Sequence, residues 1–179
     1  MKTRIGHIAY IFLLSALATL CPHDAESQNY DKQSDNQIGE KAIDFTFVAD
    51  NSEQSLYRLI ESRGTNVLVL FHSPECELCA KTKKKLKKSK TINRLLDEGS
   101  LTLLAVAVET DSLVWQQTCQ ELPQNWVNAY CKECEAIVKS YIYTVPTLFL
   151  IGKDGKVIDT HARGAHLKEL LEKEFPEVK

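Results

Sequence analysis

The residues from Val67 to Cys79 read Val-Leu-Val-Leu-Phe-His-Ser-Pro-Glu-Cys-Glu-Leu-Cys, and this stretch decides the fold. Its first five residues, Val67 to Phe71, form an unbroken apolar run, which is typical of a central β-strand buried on both faces. Pro74 then ends the strand, and a helix is predicted from about Cys76 to Asp97. The stretch therefore predicts a buried strand that turns directly into the first turn of a helix.

Two cysteines, Cys76 and Cys79, fall on that predicted first turn. A thiolate, rather than a thiol, attacks a disulfide, and the free N–H groups and positive dipole end at a helix N-terminus stabilise a thiolate. We expect an exposed Cys76 to attack a substrate and a more buried Cys79 to resolve the mixed disulfide. A C-x-x-C is also half of a zinc site, so the spacing alone leaves metal binding open.

Strands and helices alternate on either side of this stretch. Residues 123–134 are predicted to be irregular, and an Asp154–Gly155 turn predicts a hairpin near the end of the chain. The alternation predicts an α/β fold whose mixed sheet has helices on both faces. The further predicted elements are strands at 43–48, 101–108, 147–151 and 157–160 and helices at 55–62, 112–121, 135–143 and 167–175.

A second motif, Tyr-Thr-Val-Pro-Thr-Leu-Phe-Leu, begins at Tyr143. Together with the strand-linked C-x-x-C and the Asp-Gly hairpin, it resembles the thioredoxin superfamily, in particular exported thiol–disulfide oxidoreductases of the TlpA/ResA-like branch. The resemblance covers roughly residues 38–175 and implies a thioredoxin-like fold that needs no small-molecule cofactor. It also implies a cis peptide at Val145–Pro146, beside the dithiol, with Val145 offering backbone hydrogen bonds to an incoming polypeptide.

The chain departs from the family pattern around the dithiol. Glu75 stands where thioredoxins usually have a tryptophan, and Leu70 stands where thioredoxin has a buried acid. No proton acceptor for Cys79 is then evident. The charges of Glu75 and Glu77 oppose formation of the Cys76 thiolate, so we expect a comparatively reducing dithiol.

Three further cysteines, Cys119, Cys131 and Cys134, lie outside the resemblance. They allow a structural disulfide, either within the second C-x-x-C or from Cys119 to one of its members. They also allow an auxiliary redox relay to the first pair, or a metal site with one more ligand. The sequence leaves these three interpretations open.

The N-terminus has the pattern of an export signal. A short basic start precedes an apolar run at 8–20, which is too short to span a bilayer and fits a secretory signal peptide at 1–27. A lipoprotein signal ending before Cys21, which would then carry a lipid anchor, is the alternative. Residues 28–37 are predicted to be a polar linker and 38–179 a thioredoxin-like domain.

Export predicts a periplasmic protein, free or held at the membrane, in a compartment where disulfides persist. The expected partners are exported proteins with thiols or disulfides and a membrane electron donor. A formal net charge of −2 gives no sign of nucleic-acid binding. We predict disulfide exchange in the reducing or isomerising direction. The alternatives are a binding or chaperone module with structural disulfides, and a zinc-binding protein that uses both C-x-x-C pairs.

Two further features receive ordinary interpretations at this point. His72 is predicted to end the central strand without a chemical role, with tuning of the dithiol as the alternative. A lysine-rich stretch follows the dithiol and is predicted to be a solvated helix face, with docking of an acidic partner or anionic lipid as the alternative. Its members are Lys81, Lys83, Lys84, Lys85, Lys87, Lys88 and Lys90.

Overall fold

The computed structural model describes residues 29–162 and 164–176. The predicted signal peptide at 1–27 and the predicted anchor at Cys21 lie outside these residues. No helix in the described ranges is long and apolar enough to cross a membrane. The strands are β1 Thr46–Ala49, β2 Ser52–Ser55, β3 Asn66–His72, β4 Leu101–Ala107, β5 Val127–Tyr130, β6 Thr147–Ile151 and β7 Val157–Asp159. The helices are α1 Leu56–Arg63, α2 Glu77–Lys88, α3 Lys90–Asp97, α4 Ser112–Cys119 and α5 Gly164–Glu174, together with a π-helix at Ile137–Tyr141.

One mixed sheet organises the molecule, in the order β2-β1-β5-β4-β3-β6-β7. Strands β3, β4 and β5 run parallel, whereas β1 and β6 run antiparallel to their neighbours and β7 closes the final hairpin. The apolar run at 67–71 lies in β3, which is between β4 and β6. The predicted mixed α/β sheet of thioredoxin-like type is confirmed.

The two faces of the sheet carry separate cores, because successive side chains of a strand point to opposite faces. Val67, Val69 and Phe71 of β3 pack on a first face, which α1 and the π-helix cover. Leu68 and Leu70 pack on a second face, which α2, α3 and α5 cover. Every residue of β4 is buried, as expected for a strand with helices on both sides.

The long helix predicted from Cys76 to Asp97 is two helices. Ser89 separates α2 from α3 with an extended backbone, and its hydroxyl accepts a hydrogen bond from the Ile92 N–H at 3.3 Å. The Asn93 amide donates to the Lys87 carbonyl at 3.0 Å, which satisfies one of the free carbonyls at the end of α2. A serine that caps the following helix offers the backbone an alternative to continuing the first one.

Two strands, β2 and β5, were not predicted from the sequence. Strand β2 is polar throughout and lies at the sheet edge, joined to β1 by a turn in which Asp50 and Asn51 both have positive φ. Strand β5 lies inside the segment 123–134, so the prediction that this segment is irregular was wrong. It pairs with β4 on one side and β1 on the other. The first predicted strand also begins later, at Thr46 instead of residue 43.

The segment predicted to be a polar linker contacts the domain. Asn36 is only 4% exposed, its amide donates to the Ser140 carbonyl at 3.0 Å, and its side-chain oxygen accepts from the Ile43 N–H at 2.8 Å. The Ser140 hydroxyl donates to the Asp35 carboxylate at 2.6 Å. Residues 35 and 36 are thus tied to the π-helix.

Candidate active site

Cys76 is the N-cap residue of α2. Its backbone is extended, at φ −82° and ψ 113°, and its Sγ accepts a hydrogen bond from the Cys79 N–H at 3.1 Å. The two cysteines form a disulfide, with their Cα atoms 5.1 Å apart. Cys76 is partly exposed, whereas Cys79 is completely buried. The structure therefore places an accessible sulfur at the helix N-terminus and its partner beneath it.

The second motif meets the first because β3 and β6 are neighbours. Phe71, at the end of β3, pairs with Thr147, at the start of β6, so the residues that precede Thr147 lie beside those that follow Phe71. The Val145–Pro146 peptide is cis, and the Val145 carbonyl oxygen lies 3.8 Å from the Cys76 Sγ. Because β6 begins only at Thr147, the backbone of Val145 stays outside the β-ladder.

His72 is the feature of this site that the sequence analysis underestimated. It is 3% exposed, and neither ring nitrogen makes a hydrogen bond of normal geometry with any described residue. Burial, together with the positive charge of Lys83, lowers its pKa to about 4, although the backbone of Ser73 opposes this shift. The imidazole is therefore neutral at physiological pH. Leaving such a polar group buried and unpaired costs about 1–3 kcal/mol.

This burial makes a pH dependence of stability predictable. The folded pKa of about 4 lies below the ordinary value of 6.5, so between these two pH values the unfolded chain binds a proton that the folded chain does not. The contribution of His72 is complete above pH 6.5 and is lost as the pH falls towards 4, by about 3 kcal/mol in total at 1.36 kcal/mol per pKa unit. Urea unfolding of the oxidised protein at several pH values measures it.

The matched variant for that measurement is His72→Gln, which keeps a polar side chain that does not titrate. Its unfolding free energy should fall less steeply between pH 6.5 and 4 than that of the unmodified protein. Parallel curves for the two proteins would show that His72 ionises freely in the folded state.

Carboxylates are scarce beneath the dithiol. Leu70 is fully buried and apolar, and Asp159 is the single acid among the buried polar residues in the described ranges. Asp159 lies on β7, where its carboxylate accepts hydrogen bonds from the His161 N–H at 2.6 Å and pairs with the His166 ring at 2.8 Å. Above the dithiol, Glu77 forms an exposed ion pair with Lys81 at 2.7 Å. Solvent and this lysine reduce the influence of Glu77 on Cys76.

The remaining cysteines separate into a disulfide and a free thiol. Cys131 and Cys134 are bonded to each other, with Cα atoms 5.4 Å apart, and Cys119 at the end of α4 is free. The Cys131 N–H donates to the Ala107 carbonyl at 3.0 Å. Ala107 ends β4, so Cys131 lies at the carboxyl ends of the parallel strands, where Cys76 follows β3. Over residues 29–162 and 164–176 no group of three or more histidines, cysteines or acids is arranged as metal ligands. The geometry thus gives no support to a zinc site shared by the two pairs.

Residues 54–179, well over half of the chain, match the model of a family described as a thioredoxin-like domain. No curated protein matches it.

Solved structures give the same result for the fold. A thioredoxin-like protein from Bacteroides caccae is 28% identical with a TM-score of 0.69, over 78% of this chain and 50% of that protein, so the chain spans about half of its length. A thiol:disulfide interchange protein from a Bacteroides species is 26% identical with a TM-score of 0.63, over 76% and 89% of the two chains.

A third structure, the thioredoxin domain of a thiol-disulfide oxidoreductase from Bacteroides vulgatus, supports the fold alone. It is 23% identical with a TM-score of 0.65, over 77% of this chain and 97% of that one. The sheet, the strand-linked dithiol and the family match lead to one conclusion: the chain belongs to the thioredoxin-like family.

Proposed function

We propose that this protein is a thiol–disulfide oxidoreductase that exchanges disulfides with exported proteins through Cys76 and Cys79. The observation that carries the proposal is the position of the Cys76 Sγ. It caps α2, accepts the Cys79 N–H at 3.1 Å and lies 3.8 Å from the Val145 carbonyl oxygen. An accessible sulfur with a helix terminus on one side and the Val145 backbone on the other suits attack on a disulfide in a polypeptide.

The surroundings of Cys76 favour a polypeptide substrate. Leu78 and Tyr143 are 63% and 76% exposed and lie two residues from Cys76 and Val145, respectively. Exposed apolar side chains at a reactive centre are typical of a surface that binds another chain. A cleft of about 550 Å³ continues from Thr144 towards Lys32 and Asp35, and it offers room for an extended segment.

In the reducing direction the reaction has two steps. The Cys76 thiolate attacks one sulfur of the substrate disulfide, which forms a mixed disulfide and releases the other substrate sulfur as a thiolate. Cys79 then loses its proton and attacks the Cys76 Sγ. This closes the Cys76–Cys79 disulfide and releases the second substrate sulfur as a thiolate. A separate electron donor must return the protein to its dithiol form. We infer that this donor is a membrane protein that passes electrons across the membrane.

The proposed location is the periplasm, with the protein free or held at the membrane. Two observations support it: the export-type pattern at the N-terminus and the Cys131–Cys134 disulfide, which lies outside the proposed redox pair. Disulfides of this kind persist in oxidising compartments. The reducing or isomerising direction is proposed mainly from Glu75 beside Cys76, whose charge disfavours the Cys76 thiolate, because the ion pair with Lys81 reduces the contribution of Glu77.

A redox titration tests the function. The protein is equilibrated in glutathione buffers of graded potential, the thiols are alkylated, and each cysteine is mapped by mass spectrometry. We expect Cys76 and Cys79 to change state together and reversibly, with a midpoint nearer to the roughly −270 mV of thioredoxin than to the roughly −120 mV of the oxidant DsbA. A pair that stays oxidised throughout would indicate a binding module with a structural disulfide. A midpoint near −120 mV would reverse the proposed direction.

A further inference from the structure

His72 lies beneath the helix that carries the dithiol. Side chains of β3 alternate between the two faces of the sheet, and Leu68 and Leu70 point to the second face, so His72 points there as well. Helix α2 covers that face through Leu86. Lys83, one turn after Cys79 on α2, is close enough to act electrostatically on the imidazole. His72 thus lies on the sheet face that α2 covers, and Cys79 lies on the same helix, one turn before Lys83.

Cys79 needs a proton acceptor at this place. It is completely buried, so bulk water does not reach its sulfur, and yet it must become a thiolate to resolve a mixed disulfide. The one buried acid of the described residues, Asp159, is on β7 and already accepts hydrogen bonds from elsewhere. The imidazole of His72 is buried, and neither of its nitrogens makes a hydrogen bond of normal geometry with a described residue.

We propose that His72 accepts the proton of Cys79 when the mixed disulfide is resolved, an inference that rests on the proposed function. The Cys79 S–H bond breaks and the proton moves to the unprotonated ring nitrogen of His72. The Cys79 sulfur then forms a bond with the Cys76 Sγ, and the bond between Cys76 and the substrate sulfur breaks. The electron pair leaves with the substrate thiolate, which takes up a proton from His72 through solvent. Substrate disulfide and protein dithiol thus become substrate dithiol and protein disulfide.

Burial and the positive charge of Lys83 make His72 a weak base while the disulfide is intact, so the proton transfer depends on the negative charge that forms on Cys79. Lys83 and burial keep the imidazole neutral while the disulfide is intact, so a lone pair is available when Cys79 returns to its thiol form. Partial burial lowers the pKa of Lys83 as well, and the charge of Glu121 opposes this shift while that of Lys87 adds to it. A neighbouring Cys79 thiolate stabilises the imidazolium once the proton has moved. The role explains why an unpaired polar side chain occupies the end of a core strand.

The test separates the two chemical steps. Reduced protein is mixed with an excess of a disulfide-bonded peptide, and release of the second peptide thiol is followed from pH 5 to 9. Attack by Cys76 is measured separately, by its rate of alkylation. In His72→Phe, thiol release at pH 7 should slow by about 10²-fold and rise tenfold per pH unit, because the thiolate fraction of Cys79 then follows the pH of the solution directly. Alkylation of Cys76 should stay within about twofold, because the N-terminus of α2 is unchanged.

Two variants complete the test. His72→Asp, which supplies another proton acceptor, should restore thiol release at pH 7, and His166→Gln, a histidine on α5, should behave like the unmodified protein. His72→Gln carries the measurement if His72→Phe fails to fold. Wild-type release rates with a wild-type pH profile in His72→Phe and His72→Gln would overturn the role of His72. So would an equal fall in both steps. Absence of thiol release from the unmodified protein would overturn the proposed function itself.

Discussion

Replacing Cys76 by serine should slow the reduction of a protein disulfide by at least about 10³-fold, because a hydroxyl does not ionise at neutral pH and is a poor nucleophile towards sulfur. The partly exposed Cys76 Sγ at the N-terminus of α2 is the atom that meets the substrate. The measurement is the rate at which reduced protein cleaves the interchain disulfides of insulin, followed by turbidity. Cys79→Ser should instead accumulate a mixed disulfide between Cys76 and the substrate, detectable by its mass.

The free thiol of Cys119 provides the matched control. It lies at the end of α4, so Cys119→Ser should reduce insulin at the unmodified rate. If the Cys76→Ser protein kept its activity, the reaction would have to be assigned to Cys131 and Cys134. These two form the other described disulfide, and Cys131 lies at the same carboxyl ends of the parallel strands as Cys76.

Phe71→Ala should lower the free energy of unfolding by about 3–5 kcal/mol, the usual cost of removing a buried aromatic side chain. Phe71 is fully buried, and its ring centroid lies 5.4 Å from that of Phe45, 5.3 Å from that of Tyr141 and 6.4 Å from that of Phe149. The cavity would open beneath both halves of the site, since Phe71 precedes the dithiol and Tyr141 precedes Val145. Urea unfolding of the oxidised protein gives the value.

Two substitutions calibrate this result. Phe71→Leu keeps most of the volume and should cost less than about 1.5 kcal/mol. Tyr143→Ala removes an aromatic ring that is mostly exposed and should stay within about 0.5 kcal/mol. If Phe71→Ala proved as mild as Tyr143→Ala, the aromatic cluster would not be a stabilising part of the core.

The strands with a strong pattern were predictable, and those without one were not. The unbroken apolar runs of β3 and β4 indicate burial on both faces, and the Asp-Gly turn indicates the hairpin of β6 and β7. Strand β2 is Ser-Glu-Gln-Ser and buries no apolar side chain, so hydrophobic periodicity gives no signal there. Its signal is the preceding Asp50–Asn51 pair, which suits the positive φ of a tight turn. Strand β5 has four residues and becomes a strand through its neighbours on both sides.

The same distinction holds at the site. The C-x-x-C spacing predicts Cys76 and Cys79 from local properties of the chain, whereas Val145 and Pro146 were predicted through the resemblance to the thioredoxin superfamily. The burial of His72 depends on which helix covers the end of β3, a tertiary property that a residue at a strand end does not reveal. The alternation of β3 was the available signal, because it assigns His72 to the same face as Leu68 and Leu70.

The pairing of β3 with β6 also bears on how the chain folds. Val67 pairs with Ile151, which is made roughly 80 residues later, or about 4–16 s later at the usual 5–20 residues per second of synthesis. Until then β3 has its neighbour β4 on one side and no neighbour on the other. Each observed disulfide joins residues only three apart, so both close the smallest loops available, whereas a wrong pairing between the two motifs would have to close a loop of more than fifty residues. Loop closure therefore favours the two short-range pairs over a pairing between the two motifs while the sheet is incomplete.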